Sequence, residues 1–95
     1  MPAYVIADTH ITDQKTYEEY KRRVAPLIAK FGGRFLVRGG KHTVLEGTWR
    51  PHRLVVIEFP TIEALDTWYH SPEYAPVLAL RQPAATVQLV AVEGA

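Results

Sequence analysis

The stretch Gly32-Gly33-Arg34-Phe35-Leu36-Val37-Arg38-Gly39-Gly40 decides how the chain is laid out. Three apolar residues lie between two arginines, and a glycine pair closes each end. Glycine accepts the left-handed backbone that ends a helix. The first pair therefore marks the end of a helix and the start of a short strand, Arg34 to Arg38. The second pair bends or stops that strand, at a turn that leaves backbone N–H groups bare. Alternation with period two puts Arg34, Leu36 and Arg38 on one face, and Phe35 and Val37 on the other.

The residues before this stretch carry the helix. Thr12 and Asp13 are favoured N-cap residues. Tyr17, Tyr20, Val24, Leu27, Ile28 and Phe31 then recur at helical spacing, to about Phe31. Lys15, Glu18, Glu19, Lys21, Arg22 and Arg23 fall mostly on the opposite side. Pro26 removes one backbone hydrogen bond and predicts a kink. Ahead of the helix, Ala3 to Thr9 reads as a strand by its β-branched and aromatic content. Downstream, Val44-Leu45-Glu46 is read as an extension of the short strand beyond a bulge, and Gly47 to His52 as a loop. Arg53 to Phe59 is the clearest strand of the chain. Thr61 caps a helix to about Tyr69, and Ser71-Pro72-Glu73-Tyr74 opens a third, short one. Pro76 is expected to distort its first turns, and Pro83 stops it. Thr86 to Val92 is the last strand. The order β-α-β-β-α-β predicts an α+β, ferredoxin-like sandwich over residues 1–95 as one domain, with a four-stranded antiparallel sheet and helices on one face.

The strands add a second expectation. A sheet covered on one face should alternate apolar and polar residues. Here Val55, Ile57 and Phe59 oppose Leu54 and Val56, which are also apolar. Val87, Leu89 and Ala91 likewise oppose Val90 and Val92, and Tyr4 and Ile6 oppose Ala3, Val5 and Ala7. One chain has helices for one face only. The other face would be a large exposed apolar patch, so a two-fold homodimer through that face is expected.

Composition narrows the chemistry. The chain has 95 residues, no cysteine and a net charge of +1. Disulfides, thiolate nucleophiles and cysteine-based metal sites are excluded. The charge balance gives no case for nucleic acid or an anionic membrane surface. The aliphatic central strands lack the stacking aromatics of an RNA-binding sheet. There is no signal-like N-terminus or apolar run of ~20 residues, so a cytoplasmic setting is expected.

Lys30-Phe31-Gly32-Gly33-Arg34-Phe35-Leu36-Val37-Arg38-Gly39-Gly40 resembles the hallmark segment of the domain-of-unknown-function family numbered 1330. Ala3-Tyr4-Val5-Ile6, Glu46-Gly47-Thr48-Trp49, Val56-Ile57-Glu58-Phe59-Pro60 and Ser71-Pro72-Glu73-Tyr74 resemble it too, in order along nearly the whole chain. Pro76 and Pro83 depart from that pattern. The resemblance implies the dimeric α/β-barrel superfamily, in which two ferredoxin-like sheets face each other. It implies little about activity. The wider superfamily includes cofactor-free monooxygenases, haem-binding enzymes, isomerases and ligand-binding regulators, and fold does not fix function.

Two kinds of function remain. In the first, the protein binds a small organic ligand between sheet and helices, with Arg38, Gly39, Tyr17, Trp68 and Tyr74 as candidate contacts. Arg38 beside bare N–H groups of Gly39-Gly40 would hold a carboxylate or enolate oxygen. The structural alternative pairs Arg38 with Glu58 or Glu46. In the second, the protein is a cofactor-independent enzyme, monooxygenase- or isomerase-like, acting on a carbonyl or phenolic substrate. His10 is then the base and Arg38 the oxyanion partner. A haem reading would rest on His70 alone. His10, His42, His52 and His70 form no His-x-His or i, i+4 pair, so neither a metal nor another cofactor is expected. Trp49, in a loop, suits an anchor on a partner chain.

Overall fold

The computed structural model describes residues Met1 to Ala95. The strands and helices run β1 (Ala3–Ile11), α1 (Gln14–Lys30), β2 (Arg34–Arg38), β3 (Leu54–Phe59), α2 (Ile62–Tyr69), α3 (Ala75–Arg81) and β4 (Ala85–Glu93). The sheet order is β2-β3-β1-β4, with every neighbouring pair antiparallel. This is the α+β ferredoxin-like fold that the element order predicts. No helix is long and apolar enough to cross a membrane.

The helix ends follow local chemistry. The Asp13 carboxylate accepts from the Thr16 N–H at 3.2 Å and so caps α1. At the other end Gly32 takes φ +85, and the Gly33 N–H donates to the Ile28 carbonyl at 2.8 Å. Thr61 Oγ1 caps α2 by accepting from the Ala64 N–H at 3.0 Å. Ser71 does not open α3 directly. Its hydroxyl donates to the Trp68 carbonyl and accepts from the Tyr74 N–H, which folds a turn before the helix begins at Ala75. Pro76 thereby falls in the first helical turn, where a missing N–H costs no hydrogen bond, so it starts α3 rather than distorting it.

The core lies between the helices and one face of the sheet. Ala3, Val5 and Ala7 of β1 alternate inward with Val55, Ile57 and Phe59 of β3. Tyr17, Tyr20, Val24 and Ile28 of α1 cover them, with Leu65 and Trp68 of α2. Phe59, Trp68 and Tyr74 are buried in an aromatic stack, at ring-centroid spacings of 5.4 Å and 4.5 Å. Burying each such side chain stabilises the fold by about 1.5–3 kcal/mol.

Strand β2 departs from simple alternation. Phe35 pairs with Ile57, but the next register pair is Val37 with Val56. Leu36 is thus an extra residue in a bulge, and the parity of the strand inverts beyond it. Arg34 stays on the open face, paired with Glu58 at 2.7 Å. Arg38 turns to the helix side, its guanidinium 4.2 Å from the Phe35 ring centroid. The two arginines expected to share a face lie on opposite faces, and Val37 joins the open one.

The other correction concerns the loop from Gly39 to Arg53. Val44-Leu45-Glu46 adds no strand. Arg38 already pairs with Val55 and the Gly39 N–H with the Leu54 carbonyl, where β3 begins, so no residue of β3 remains for it to pair with. The loop is tied down by Asp8 instead, which accepts from the His52 N–H at 2.8 Å and from the Trp49 indole at 3.1 Å.

Candidate functional site

A cavity of about 40 Å³ lies between α1 and the sheet. Its floor is apolar, with Val5, Ala7, Val55 and Ile57 from the two central strands. Polar groups reach it from five elements: Thr9 on β1, Tyr17, Tyr20 and Lys21 on α1, Arg38 on β2, Trp68 on α2 and Arg81 on α3. Arg53, at the foot of β3, joins them. No carboxylate and no imidazole lines it. Lys21 and Arg38 also line a broad, open depression on the outer side of α1, whose wall is the solvated, ion-paired face of that helix.

Each polar side chain has a local reason to be there. Arg53 precedes Val55, Ile57 and Phe59 on the inward parity of β3. Its Nη1 donates to the Tyr17 hydroxyl at 3.2 Å. Its Nε would sit 2.7 Å from a Cβ built on Gly39, whose φ is +75. The bare glycine backbone therefore makes room for this guanidinium. Arg81 follows Val77 by one helical turn, on the buried side of α3, and is only 8% exposed. It lies 5.9 Å from the Tyr20 ring centroid, within cation–π reach.

Tyr20 and Tyr74 share a buried hydroxyl–hydroxyl hydrogen bond of 2.9 Å. Burial pushes both phenols above the ordinary tyrosine range, Tyr20 far above it, where the neighbouring Tyr74 adds to the effect. They stay protonated and serve as neutral hydrogen-bonding groups. Two other buried donors have no partner at all: Trp68 Nε1 and Arg81 Nε. A buried polar group without a partner costs free energy of about 1–3 kcal/mol, more when charged. Both unpartnered groups belong to residues that line this one cavity.

The residues singled out from sequence divide. Arg38, Tyr17 and Trp68 line the cavity. Tyr74 stands one shell behind, holding Tyr20. The Gly39 N–H is not bare, since it donates to the Leu54 carbonyl at 2.8 Å. Gly39 contributes by its lack of a side chain. Arg38 makes no ion pair with Glu58 or Glu46; Glu58 is taken by Arg34.

His10 lies on the opposite face of the sheet. It continues the open-face parity of Tyr4, Ile6 and Asp8, and its ring stacks on His52 at 4.1 Å. His10 and Arg38 therefore do not meet. His70 is exposed at the end of α2, beside Asp66. Asp8 is held below the usual carboxylate range: burial works against its charge, but the His52 N–H, the Trp49 indole and the Arg53 N–H outweigh that. Sequence reasoning missed Arg53, Arg81, Tyr20, Lys21 and Thr9. For Arg53, Thr9 and Arg81 the signal was present, since each occupies an inward position of its strand or helix.

Solved structures share the fold. A protein of unknown function from Rhodopseudomonas palustris is 19% identical, with a TM-score of 0.79 over 99% of this chain and 82% of that one. A dimeric ferredoxin-like protein of unknown function from Jannaschia sp. CCS1 is 12% identical, with a TM-score of 0.72 over 99% and 100%. SnoaB, a cofactor-independent oxygenase from Streptomyces nogalater, is 16% identical, with a TM-score of 0.69 over 99% and 93%. At these identities the likeness is one of fold. None of the curated proteins matches the chain. The sequence profile of the domain of unknown function DUF1330 matches residues 2–95, and the chain belongs to that family.

Proposed function

We propose that this protein is a homodimer that binds a small organic ligand in the chamber between α1 and the sheet. One observation carries the ligand: Trp68 Nε1 and Arg81 Nε, two buried donors without partners, both on residues that wall the same cavity. Acceptors on a ligand are the partners these donors lack. The dimer rests on the open face, where Ile6, Val37, Val56, Val90 and Val92 form an apolar surface that no helix covers. The dimeric relative from Jannaschia is in keeping with this.

Binding is favoured here over catalysis. The enzyme reading needed His10 next to Arg38, and the sheet separates them. The chamber offers hydroxyls, an indole and cations, with none of the imidazoles or carboxylates that usually act as general bases.

The test follows the indole ¹⁵N–¹H signal of Trp68, assigned by its loss in Trp68→Phe, while small organic acids, phenols and amides are added. At least one compound is expected to shift it saturably. The same compound should stabilise the fold by about 2.7 kcal/mol at one hundred times its Kd. A signal that no compound moves would overturn the ligand reading.

A further inference from the structure

We propose that the ligand is a small organic anion that enters head first, its carboxylate or enolate meeting Arg81 and the Trp68 N–H while Arg38 and Arg53 flank the rim. This rests on the ligand-binding reading above and adds the chemical class.

Charge accounting leads to it. The chamber is lined by four cationic side chains and no acid. Lys21 has Glu18 as a partner at 3.3 Å. Arg38, Arg53 and Arg81 have no carboxylate within 4.0 Å, although Glu18 acts on Arg53 at longer range. Elsewhere Arg22 and Arg23 pair with Glu19, Lys30 with Glu73 and Arg34 with Glu58, and the cations left without an ion pair, Lys15, Lys41 and Arg50, are exposed to water. The cation hardest to leave without a counter-ion is the buried one, and Arg81 is that residue. A carboxylate fits its guanidinium because two oxygens match the planar fork of donors.

Size sets the direction of entry. A cavity of about 150 Å³ holds a benzene ring. This one, at about 40 Å³, has room for a head group of a few atoms. The body of the ligand then lies at the rim, where half-buried Phe35 stands and Lys21 and Arg38 lead to the outer depression.

The experiment compares acids with amides of matching shape: acetate with acetamide, propionate with propionamide and benzoate with benzamide. Sodium chloride and sodium phosphate are run alongside, and the Trp68 indole signal is the readout. At least one acid is expected to bind saturably, with its amide at least tenfold weaker. Arg81→Gln should weaken that acid at least tenfold and leave the amide unchanged. Should Arg81→Gln not fold, Arg53→Gln at the rim should weaken the acid several-fold and reduce its dependence on salt. An amide that binds as tightly as its acid overturns the anionic class and leaves the chamber as a ligand site. A response to chloride or phosphate alone overturns the organic part. Silence towards every compound, including the neutral ones of the wider panel, removes the ligand reading itself.

Discussion

The two faces of the sheet are built from the same strands and end in different states. On the helix side, Val5, Val55, Ile57 and Phe59 are buried by α1 and α2. On the open side, the intervening residues remain half-exposed, and Val90 keeps 59% of its surface. Charge divides the same way. Open-face Arg34 has Glu58, and open-face Asp8 has three donors. Helix-side Arg38, Arg53 and Arg81 have no carboxylate. One face therefore lacks an apolar partner and the other lacks an anionic one. On the proposed reading the surface takes a second chain and the cavity a small molecule.

Five substitutions sharpen this contrast. Trp68→Ala on the covered face should cost about 3–5 kcal/mol in chemical denaturation, because the aromatic stack loses its middle ring. Val90→Ala, tested in a monomeric background, should cost well under 1 kcal/mol; equal costs would erase the distinction between the faces. Gly39→Ala should cost about 1–2 kcal/mol, since the left-handed backbone disfavours a side chain and the new methyl displaces Arg53. Tyr20 probes pH. Unfolded tyrosine ionises above pH 10.0, while the buried phenol resists ionisation. Stability is thus full below pH 10 and falls as pH rises, by up to about 1.4 kcal/mol per pH unit for each such group. Tyr20→Phe should remove its share of that slope, leaving that of Tyr74. The smallest effect belongs to Asp8, whose depressed pKa adds stability above pH 3.8 that is lost as pH falls through the folded value. Asp8→Asn should flatten the acid limb of a pH–stability curve.

Most of the fold was legible because it rests on local rules. Helical spacing in Tyr17 to Ile28, the Asp13 and Thr61 caps, and alternation in β1 and β3 each act over a few residues. The bulge at Leu36 was not legible. It depends on the register against β3, and Leu36 itself resembles its neighbours. That one shift moved Arg38 to the chamber and Val37 to the open face. His10 keeps the parity of Tyr4 and Ile6, which carries it to the open face and away from the chamber. Arg53 and Arg81 sat at inward positions, yet a charged residue at an element's end reads from sequence as a boundary. The unpartnered state of Arg81 emerges only when α3 packs against α1 over the sheet.

The open face gives the most direct test. Light scattering at micromolar concentration should return twice the 10.7 kDa chain mass. Val56→Asp, which puts a charge at the centre of that face, should return the chain mass with the helical and strand signals intact. A wild-type protein that scatters as a monodisperse monomer would contradict the account.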